Sequence, residues 1–376
     1  MRASVGVVQP DPNREAFLLI LESLPILGNR FSDIKRLGPS GGTGQFSLMF
    51  SARDAVTRRK VALKVFHPGQ SDAYRRACFR REQELLQRYM GKPDVIQMVS
   101  PGAEHHESVQ TNTGIPISFA FHYYALELAE LDLGALLATD VLDHEDRLLV
   151  FRVACRAVQR LHTDRVAHRD IKPPNFLQMR DRSLKVSDLG TARDMRSSVP
   201  ALVQDYGMLW PGDVRYTPPE MFAGLFGEKP SLGFGADFYA LGATLFEMFA
   251  GVGLFAQVFD RSFVEDLLAA MQNVRPGQRQ AVYDAFVSEL AAGHPLPDIS
   301  RVNPDCPACI RDRLNELYRD LCALDYRRRL TSFTVVFRRV QAALLCYRNE
   351  RRQRQRLDRR RHQRIQRLMA TGGLRQ

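Results

Sequence analysis

The segment VAHRDIKPPNFLQ, residues 166–178, holds an acidic, a basic and an amide side chain between two apolar stretches. These side chains are Asp170, Lys172 and Asn175. A core of eight residues, HRDIKPPN, can arise by chance. The segment therefore indicates a particular fold only if motifs elsewhere in the chain support the same fold.

The length and composition indicate a globular chain with two lobes or domains. At 376 residues it exceeds the usual size of a single core, and 45% apolar residues can fill two. The apolar run at 16–27 is too short to span a bilayer and contains Glu22 and Pro25, so we expect neither a transmembrane segment nor a signal peptide. The six cysteines lack the spacing of a secreted scaffold, which favours a reducing, cytoplasmic setting.

The formal net charge of +11 is concentrated near the C-terminal end. Residues 347–367 contain ten arginines and two acids, and so supply eight of the eleven positive charges. The arginines are Arg348, Arg351, Arg352, Arg354, Arg356, Arg359, Arg360, Arg361, Arg364 and Arg367. We expect a solvated extension of the preceding helix, with docking to an acidic partner, nucleic acid or a membrane surface as the alternative.

Hydrophobic periodicity predicts strands in the first part of the chain. Residues 31–62 alternate apolar and polar side chains around a glycine-rich turn and predict a hairpin, and KVALKVF supplies the next strand. In that strand Ala62, Lys64 and Phe66 should share one face, because strand side chains alternate.

Helical periodicity appears twice. Residues 72–89 lack proline and glycine and predict an amphipathic helix that presents Glu82 or Glu84. After the strand-like AFHYYALEL, helical patterns prevail from Leu131 onward. The fold class predicted is α+β, with the strands and helices segregated into two lobes.

In chain order, the motifs are LGPSGGTGQF, VALK, RREQELL, HRDIKPPN, KVSDLG, GDVRYTPPE and GADFYALGATLFEM. This order is typical of protein kinases. The sequence resembles the eukaryotic-like (Hanks-type) Ser/Thr protein kinases. This resemblance implies a bilobal fold with a small β-rich N-lobe, a larger helical C-lobe, and ATP with Mg²⁺ in the cleft.

The resemblance also implies roles for the residues of HRDIKPPN and KVSDLG. Asp170 would accept or orient the proton of the substrate hydroxyl, and Lys172 would stabilise the transferring phosphoryl group. Asn175 and Asp188 would bind Mg²⁺, for which carboxylate and amide oxygens are suited. Lys172 favours Ser/Thr over Tyr as the acceptor.

The nucleotide site implied by the family begins at the glycine-rich turn. Lys64 would hold the α and β phosphates and pair with Glu82 rather than Glu84, which lies two residues along on a different helix face. Leu126 would guard the back of the adenine pocket. The full set of expected nucleotide-binding residues is Gly38, Gly41, Gly44, Phe46, Ala62, Lys64, Glu82, Glu127 and Ala129.

Three positions depart from the family pattern. The glycine spacing fits only if Pro39 is an inserted residue, and Leu189 replaces the usual phenylalanine as an apolar plug. Asp213 stands where most Ser/Thr members have a threonine that contacts the catalytic aspartate and lysine. We expect its carboxylate to repel Asp170 and so to disturb the substrate loop.

Two contacts of the larger lobe also follow from the resemblance. Glu220 should pair with Arg329, and Asp237 should bond the backbone of the catalytic loop. Arg169 implies a basic pocket for an activation-loop phosphate, and we expect autophosphorylation at Ser197 or Ser198. Asp205 or Asp213 would be the built-in substitute if phosphorylation is unnecessary.

The sequence is thus interpreted as an ATP- and Mg²⁺-dependent Ser/Thr protein kinase acting on a protein substrate. The alternatives are a pseudokinase-type nucleotide-binding scaffold and a small-molecule phosphotransferase of related fold. The CPAC segment (306–309) is expected to be a turn before a helix, with a zinc site as the less favoured interpretation. The predicted domains are an N-terminal extension (1–30), an N-lobe with hinge (31–130), a C-lobe (131–346) and an Arg-rich helical tail (347–376).

Overall fold

The computed structural model describes residues 12–38, 47–67, 73–110, 116–139, 141–196, 210–225, 229–260 and 262–372. These residues belong to two compact units. The first contains the described residues as far as Leu133 together with Pro174–Ala192, and the second contains Gly134–Pro173, residues 193–196 and the described residues from Trp210 onward. Within the described ranges, no helix combines the length and the apolar character needed to cross a membrane.

The first unit is built on a five-stranded antiparallel sheet. Its strands, in sheet order, are β1 (Phe31–Arg36), β2 (Ser47–Asp54), β3 (Lys60–Phe66), β5 (Pro116–Glu127) and β4 (Met98–Gln110). The predicted pairing of β1 with β2 and the following strand is confirmed. The register sets Lys64 opposite Met49 of β2 and Tyr124 of β5.

Two helices cover β3 from opposite sides. Val61, Leu63 and Val65 share a buried cluster with side chains of α1 (Pro12–Ser23), which the sequence assigns to an extension. On the other face, the Phe66 ring lies 5.3 Å from that of Phe79 in α2 (Ala73–Arg88). The predicted alternation along β3 is therefore confirmed, and it leaves Lys64 on the face that α2 covers.

Short strands complete the β structure. In the first unit β8 (Phe176–Gln178) pairs with β6 (Leu131–Asp132) and with β9 (Leu184–Val186). In the second unit β7 (Val166–Ala167) pairs with β10 (Arg193–Asp194). In the chain, the segment HRDIKPP lies between β7 and β8.

The second unit is mainly helical, as predicted. The helices from Leu133 onward are α3 (Leu133–Ala138), α4 (His144–Thr163), α5 (Pro219–Phe222), α6 (Pro230–Ala250), α7 (Phe255–Val258), α8 (Phe263–Gln272), α9 (Pro276–Gly293), α10 (Ile299–Val302), α11 (Ala308–Leu321) and α12 (Phe333–Gly372). α6 is buried along most of its length and packs against α4 and α11. A helix that is apolar all round belongs in a core, and α6 is the core helix of this unit.

The last helix is a single element of 40 residues. It begins at Phe333 and ends at Gly372. Val336, Val340 and Leu344 are buried, whereas residues 351–367 are exposed. The Arg-rich segment is thus a continuation of a packed helix, as predicted.

Candidate active site

Lys64 forms the centre of a charged cluster in the first unit. Its Nζ atom lies 2.5 Å from Glu82 Oε2 and 3.1 Å from Asp188 Oδ1. Glu82 is buried on α2, whereas Glu84 on the same helix is exposed. The predicted pairing of Lys64 with Glu82 rather than Glu84 is confirmed.

Burial and charge act against each other in this cluster. Burial disfavours the charged form of Lys64, but the carboxylates of Asp188 and Glu82 outweigh it and raise the pKa of Lys64. Burial also raises the pKa of Glu82, although the charge of Lys64 acts in the opposite direction. The ammonium group of Lys64 therefore keeps its charge between two carboxyl groups.

The backbone around Asp188 is held in an uncommon conformation. Asp188 has φ of 59°, in the left-handed region, at the start of the 3₁₀ turn Leu189–Thr191. Leu189 is fully buried, and Arg81 of α2 donates a 3.3 Å hydrogen bond to the carbonyl of Gly190. The left-handed conformation costs about 1–3 kcal/mol for a residue with a Cβ atom, so the packing of the turn must hold Asp188 in place.

Asn175 is the other residue of the expected metal pair, and it also lies in the first unit. It ends the 3₁₀ turn Pro173–Asn175 and is buried. Its carbonyl accepts hydrogen bonds from the N–H (2.9 Å) and the Oγ (3.1 Å) of Ser187, the residue before Asp188. These hydrogen bonds therefore connect Asn175 directly to the residue before Asp188.

The expected adenine-binding segment follows β5. Ala62 of β3 is paired with Leu126 of β5, and both are buried. The main-chain N–H of Glu127 donates a 3.0 Å hydrogen bond to the carbonyl of Gln97. Ala129, the other expected main-chain donor, lies two residues beyond Glu127 and is partly buried.

The glycine-rich turn is described only at its start. Gly38 has φ of 74°, a conformation that L side chains rarely adopt. The backbone at this position therefore favours glycine. Gly41, Gly44 and Phe46 lie outside the described residues.

Asp170 and Lys172 lie together in the second unit. Lys172 Nζ is 2.9 Å from Asp170 Oδ2 and 4.0 Å from Asp213 Oδ2. The main-chain N–H of Asp213 donates a 2.9 Å hydrogen bond to Asp170 Oδ1. Each carboxylate oxygen of Asp170 is therefore held by a different group.

The repulsion expected between Asp213 and Asp170 is not what the structure shows. The Asp213 carboxylate accepts hydrogen bonds from the N–H (3.0 Å) and guanidinium (2.8 and 3.1 Å) of Arg215. Burial opposes ionisation of Asp213, but these bonds and the charge of Lys172 hold its pKa below the usual value. Arg215 and Lys172 thus compensate the charge of the Asp213 carboxylate, and the main-chain N–H of Asp213 binds Asp170.

Gly212 makes that contact possible. It has φ of 87°, and a Cβ atom built there would lie 2.4 Å from the carbonyl oxygen of Arg169. No side chain fits at that distance from a main-chain atom. Gly212 was not among the residues predicted from the sequence, although a glycine directly after a proline is a known turn signal.

Asp237 of α6 holds the other side of the catalytic loop. Its carboxylate accepts hydrogen bonds from the main-chain N–H groups of His168 (2.8 Å) and Arg169 (2.7 Å), as the sequence predicts. His162 Nε2 lies 2.8 Å from the same carboxylate, a partner that the sequence did not reveal. Arg169 has φ of 63°, so these bonds stabilise a strained backbone.

A sequence profile of the protein kinase domain matches residues 37–340. This chain belongs to the protein kinase family. Among its relatives, Mitogen-activated protein kinase 9 of Oryza sativa subsp. japonica is 30% identical over 223 residues, covering 57% of this chain and 29% of the relative. A probable cell division protein kinase of Encephalitozoon cuniculi is 28% identical, covering 56% of this chain and 70% of the relative.

The relatives include a bacterial protein as well. A probable serine/threonine-protein kinase of Corynebacterium efficiens is 27% identical over 223 residues, covering 58% of this chain and 31% of the relative. The chain spans between about a third and a half of the length of the plant relatives that it matches. Its α+β architecture and its resemblance to Hanks-type kinases, both predicted from the sequence, are confirmed.

One buried ion pair of the kinase domain was also predicted. The guanidinium of Arg329 binds both carboxylate oxygens of Glu220, and neither side chain is exposed to solvent. Arg329 Nη2 also donates to the carbonyl of Ala323 at 3.0 Å. This pair connects the end of GDVRYTPPE to the segment before α12.

Two further contacts of this kinase were missed at the sequence level. Tyr216 donates a hydrogen bond to the carboxylate of Glu247 on α6, and Lys185 Nζ lies 2.5 Å from Glu127 Oε1. Tyr216 and Glu247 both fall inside quoted motifs, but their sequence separation gives no sign that they meet.

The CPAC segment lies at the start of α11. Among the described residues there is no group of three or more His, Cys, Asp or Glu side chains that could hold a metal ion. Cys306 is buried, and burial raises its pKa to about 11. Pro307 and Ala308 form the start of α11, which agrees with the predicted turn before a helix.

Proposed function

We propose that this kinase transfers the γ-phosphoryl group of ATP to a serine or threonine hydroxyl of a protein. The observation that carries the proposal is the Lys64 cluster, in which an ammonium group is held between Glu82 and Asp188. A lysine positioned in this way can bind the phosphates of a nucleotide without losing its charge. Ala62, Glu127 and Ala129 would bind the adenine end, as proposed from the sequence.

The residues present fit Mg²⁺. Asn175 and Asp188 supply an amide and a carboxylate oxygen, and 38% of the Asp188 side chain is exposed, so the carboxylate is accessible. Mg²⁺ in nucleotide sites takes one or two protein oxygens and completes its shell with phosphates and water. When bound, the ion would neutralise charge on the phosphates, and Asn175 and Asp188 would hold it.

The proposed catalytic residues of the second unit are Asp170 and Lys172. Asp170 would accept or orient the proton of the acceptor hydroxyl, because the bonds from Lys172 and the Asp213 N–H fix its carboxylate. Lys172 carries the charge that would stabilise the transferring phosphoryl group. Lys172 also supports serine or threonine, rather than tyrosine, as the acceptor.

Two other functions remain in competition with this proposal. A pseudokinase-type scaffold would bind nucleotide without transfer, but Lys64, Glu82, Asp170, Asn175 and Asp188 are all present. A small-molecule phosphotransferase of related fold would act on a metabolite. Arg169 and the PPE segment (218–220) favour a protein substrate over a small molecule.

Incubation with labelled ATP and scoring of autophosphorylation and of transfer to a generic protein substrate tests the proposal. Asp170→Asn and Asp188→Asn should both abolish transfer while the protein remains folded, because each removes a charge used in phosphoryl transfer. Asp181→Asn, an exposed change in the β8–β9 turn, is the matched control and should keep wild-type turnover. Nucleotide binding without transfer in the wild type would instead support the scaffold.

The remaining expectations concern location and partners. A cytoplasmic setting and a protein substrate stay predictions of the sequence. The same holds for an acidic partner of the Arg-rich tail.

A further inference from the structure

The end of α12 carries arginines that have no partner in the described part of the chain. Arg348 and Arg351, at the base of the segment, pair with Glu145 of α4 at 2.8 and 3.5 Å. Further along, Arg352, Arg356, Arg359, Arg360 and Arg364 are exposed and form no hydrogen bond or ion pair with a described residue. We call these five residues the arginine ridge.

The ridge occupies one side of the helix. Successive helical residues turn by about 100°, so its five members fall within an arc of about 140°. Arg352, Arg356, Arg360 and Arg364 follow one another at intervals of four, each about 6 Å further along the axis. Like charges at this spacing repel one another, and an isolated helix gains nothing from them. A polyanion that lies along the ridge would remove this repulsion.

The composition of the ridge points to phosphate. All ten cationic residues of the segment 347–367 are arginines, and none is lysine. The planar guanidinium donates two parallel hydrogen bonds to a phosphate, which the ammonium of lysine does not do. We propose that the arginine ridge binds the phosphate backbone of nucleic acid, in DNA or RNA, without preference for base sequence.

The apolar residues of the segment do not fit a membrane or a protein partner. Leu357, Ile365 and Met369 are exposed but separated, and Arg361 stands between the first two. Residues 348–372 contain no Trp, Tyr or Phe, which interfacial helices and the centres of protein interfaces use. Binding to a phosphate backbone needs only charge and hydrogen-bond donors, and these are what the ridge offers.

Fluorescence anisotropy of a labelled duplex DNA and of a duplex RNA, titrated with the full chain, tests the proposal. The wild type should bind both, with an affinity that falls steeply with salt. Changing Arg352, Arg356, Arg360 and Arg364 to Gln should reduce the slope of log affinity against log salt by up to about 3.6, since each phosphate contact contributes about 0.9. Glutamine preserves helix propensity, so the helix should persist.

Two matched variants identify the cause of any reduction in the salt slope. Replacing the same four arginines by lysine should preserve the salt slope, because the charge remains. Replacing Arg59, Lys60, Arg76 and Arg80 by glutamine removes the same charge from exposed sites of the first unit and should leave the slope unchanged. An equal reduction of the salt slope in this control would show that the net charge of the chain, and not the arginine ridge, causes nucleic-acid binding. That result would overturn the proposal.

Competing anions separate the chemical classes. Polyglutamate peptides and vesicles containing phosphatidylserine should compete weakly with nucleic acid for the wild type. The proposal is wrong if the wild type binds neither nucleic acid at low salt, or if the ridge variant loses binding to vesicles or polyglutamate while its binding to nucleic acid stays unchanged. Preference for RNA over DNA, or the reverse, would name the source of the phosphate backbone and support the proposal.

Discussion

The main-chain N–H of Asp213 donates a 2.9 Å hydrogen bond to Oδ1 of Asp170. Because a main-chain group makes this contact, the side chain at position 213 can change without releasing Asp170. Asp213→Asn should therefore keep most of the phosphoryl-transfer activity. Asp213→Ala removes the acceptor for the N–H of Arg215 and should lower the free energy of unfolding by about 1 kcal/mol.

The neighbouring glycine supplies the contrasting case. Gly212→Ala places a Cβ atom 2.4 Å from the Arg169 carbonyl and forces a positive φ on alanine, so it should move the loop and reduce kcat strongly. Steady-state kinetics of Asp213→Asn and Gly212→Ala measures the effects on kcat, and denaturant unfolding of Asp213→Ala measures the effect on stability. If Asp213→Asn were as inactive as Asp170→Asn, the carboxylate itself would be required and the main-chain explanation would fail.

The Lys64 cluster predicts a division between binding and catalysis. Lys64→Met should lower kcat more than nucleotide affinity, and Glu82→Gln should do likewise, by about 10²-fold, because the ammonium loses its fixed position. Glu84→Gln is the matched control on the exposed face of α2 and should leave kcat unchanged. Titration with a fluorescent nucleotide and initial-rate kinetics separate the two quantities. Equal losses at Glu82 and Glu84 would contradict the assignment of the helix face.

Much of this site could be predicted because its functional side chains lie within short sequence motifs. Strand alternation and helical periodicity predicted Lys64 and either Glu82 or Glu84, the resemblance to kinases favoured Glu82, and the structure pairs Lys64 with Glu82. The orientation of Asp213 could not be predicted, because the choice between repulsion and pairing depends on where Arg215 lies in space. The packing of α1 on the sheet was also hidden, because an apolar helix shows no sign of its partner.

The prediction for the activation loop rests on the sequence alone, because Ser197 and Ser198 lie outside the described residues. We expect autophosphorylation at one of them, because two adjacent hydroxyls in a polar loop are accessible and a phosphate can pair with basic residues. Mass spectrometry of protein expressed with and without Asp170→Asn should find the phosphate only in the active form. Full activity in the Ser197→Ala, Ser198→Ala double variant, without phosphate in the wild type, would point to Asp205 or Asp213 as a permanent substitute.

Asp54 in the first unit predicts a pH-dependent contribution to stability. Hydrogen bonds from Arg30 (2.7 and 2.9 Å), followed by those from Thr57 and the Val56 N–H, hold the pKa of Asp54 below its model-peptide value of 3.8. A lowered pKa in the folded state means that the stabilisation is complete above pH 3.8 and is lost as the pH falls further. Asp54→Asn should therefore cost about 2–4 kcal/mol at neutral pH and progressively less below pH 4.

Denaturant unfolding of wild type and Asp54→Asn at several pH values measures this difference. Asp33→Asn removes an acid that is largely exposed and should show no comparable loss at any pH. If the difference in the free energy of unfolding stayed constant down to the lowest pH, the ionisation of Asp54 would not be the source of its contribution to stability.

The buried pair of Glu220 and Arg329 predicts a large and specific loss of stability. Both side chains are fully shielded from water, so Glu220→Gln leaves the Arg329 charge without its partner. The expected loss in the free energy of unfolding is about 3–5 kcal/mol. Arg339 and Asp320 form a pair of 2.6 Å that is partly exposed, and Asp320→Asn should cost no more than about 1 kcal/mol. Calorimetry of the two variants compares the same chemical change in the two environments. Similar losses in the free energy of unfolding for the two variants would mean that burial does not strengthen the Glu220–Arg329 pair. The several-fold larger loss expected for Glu220→Gln follows from the absence of water around that pair.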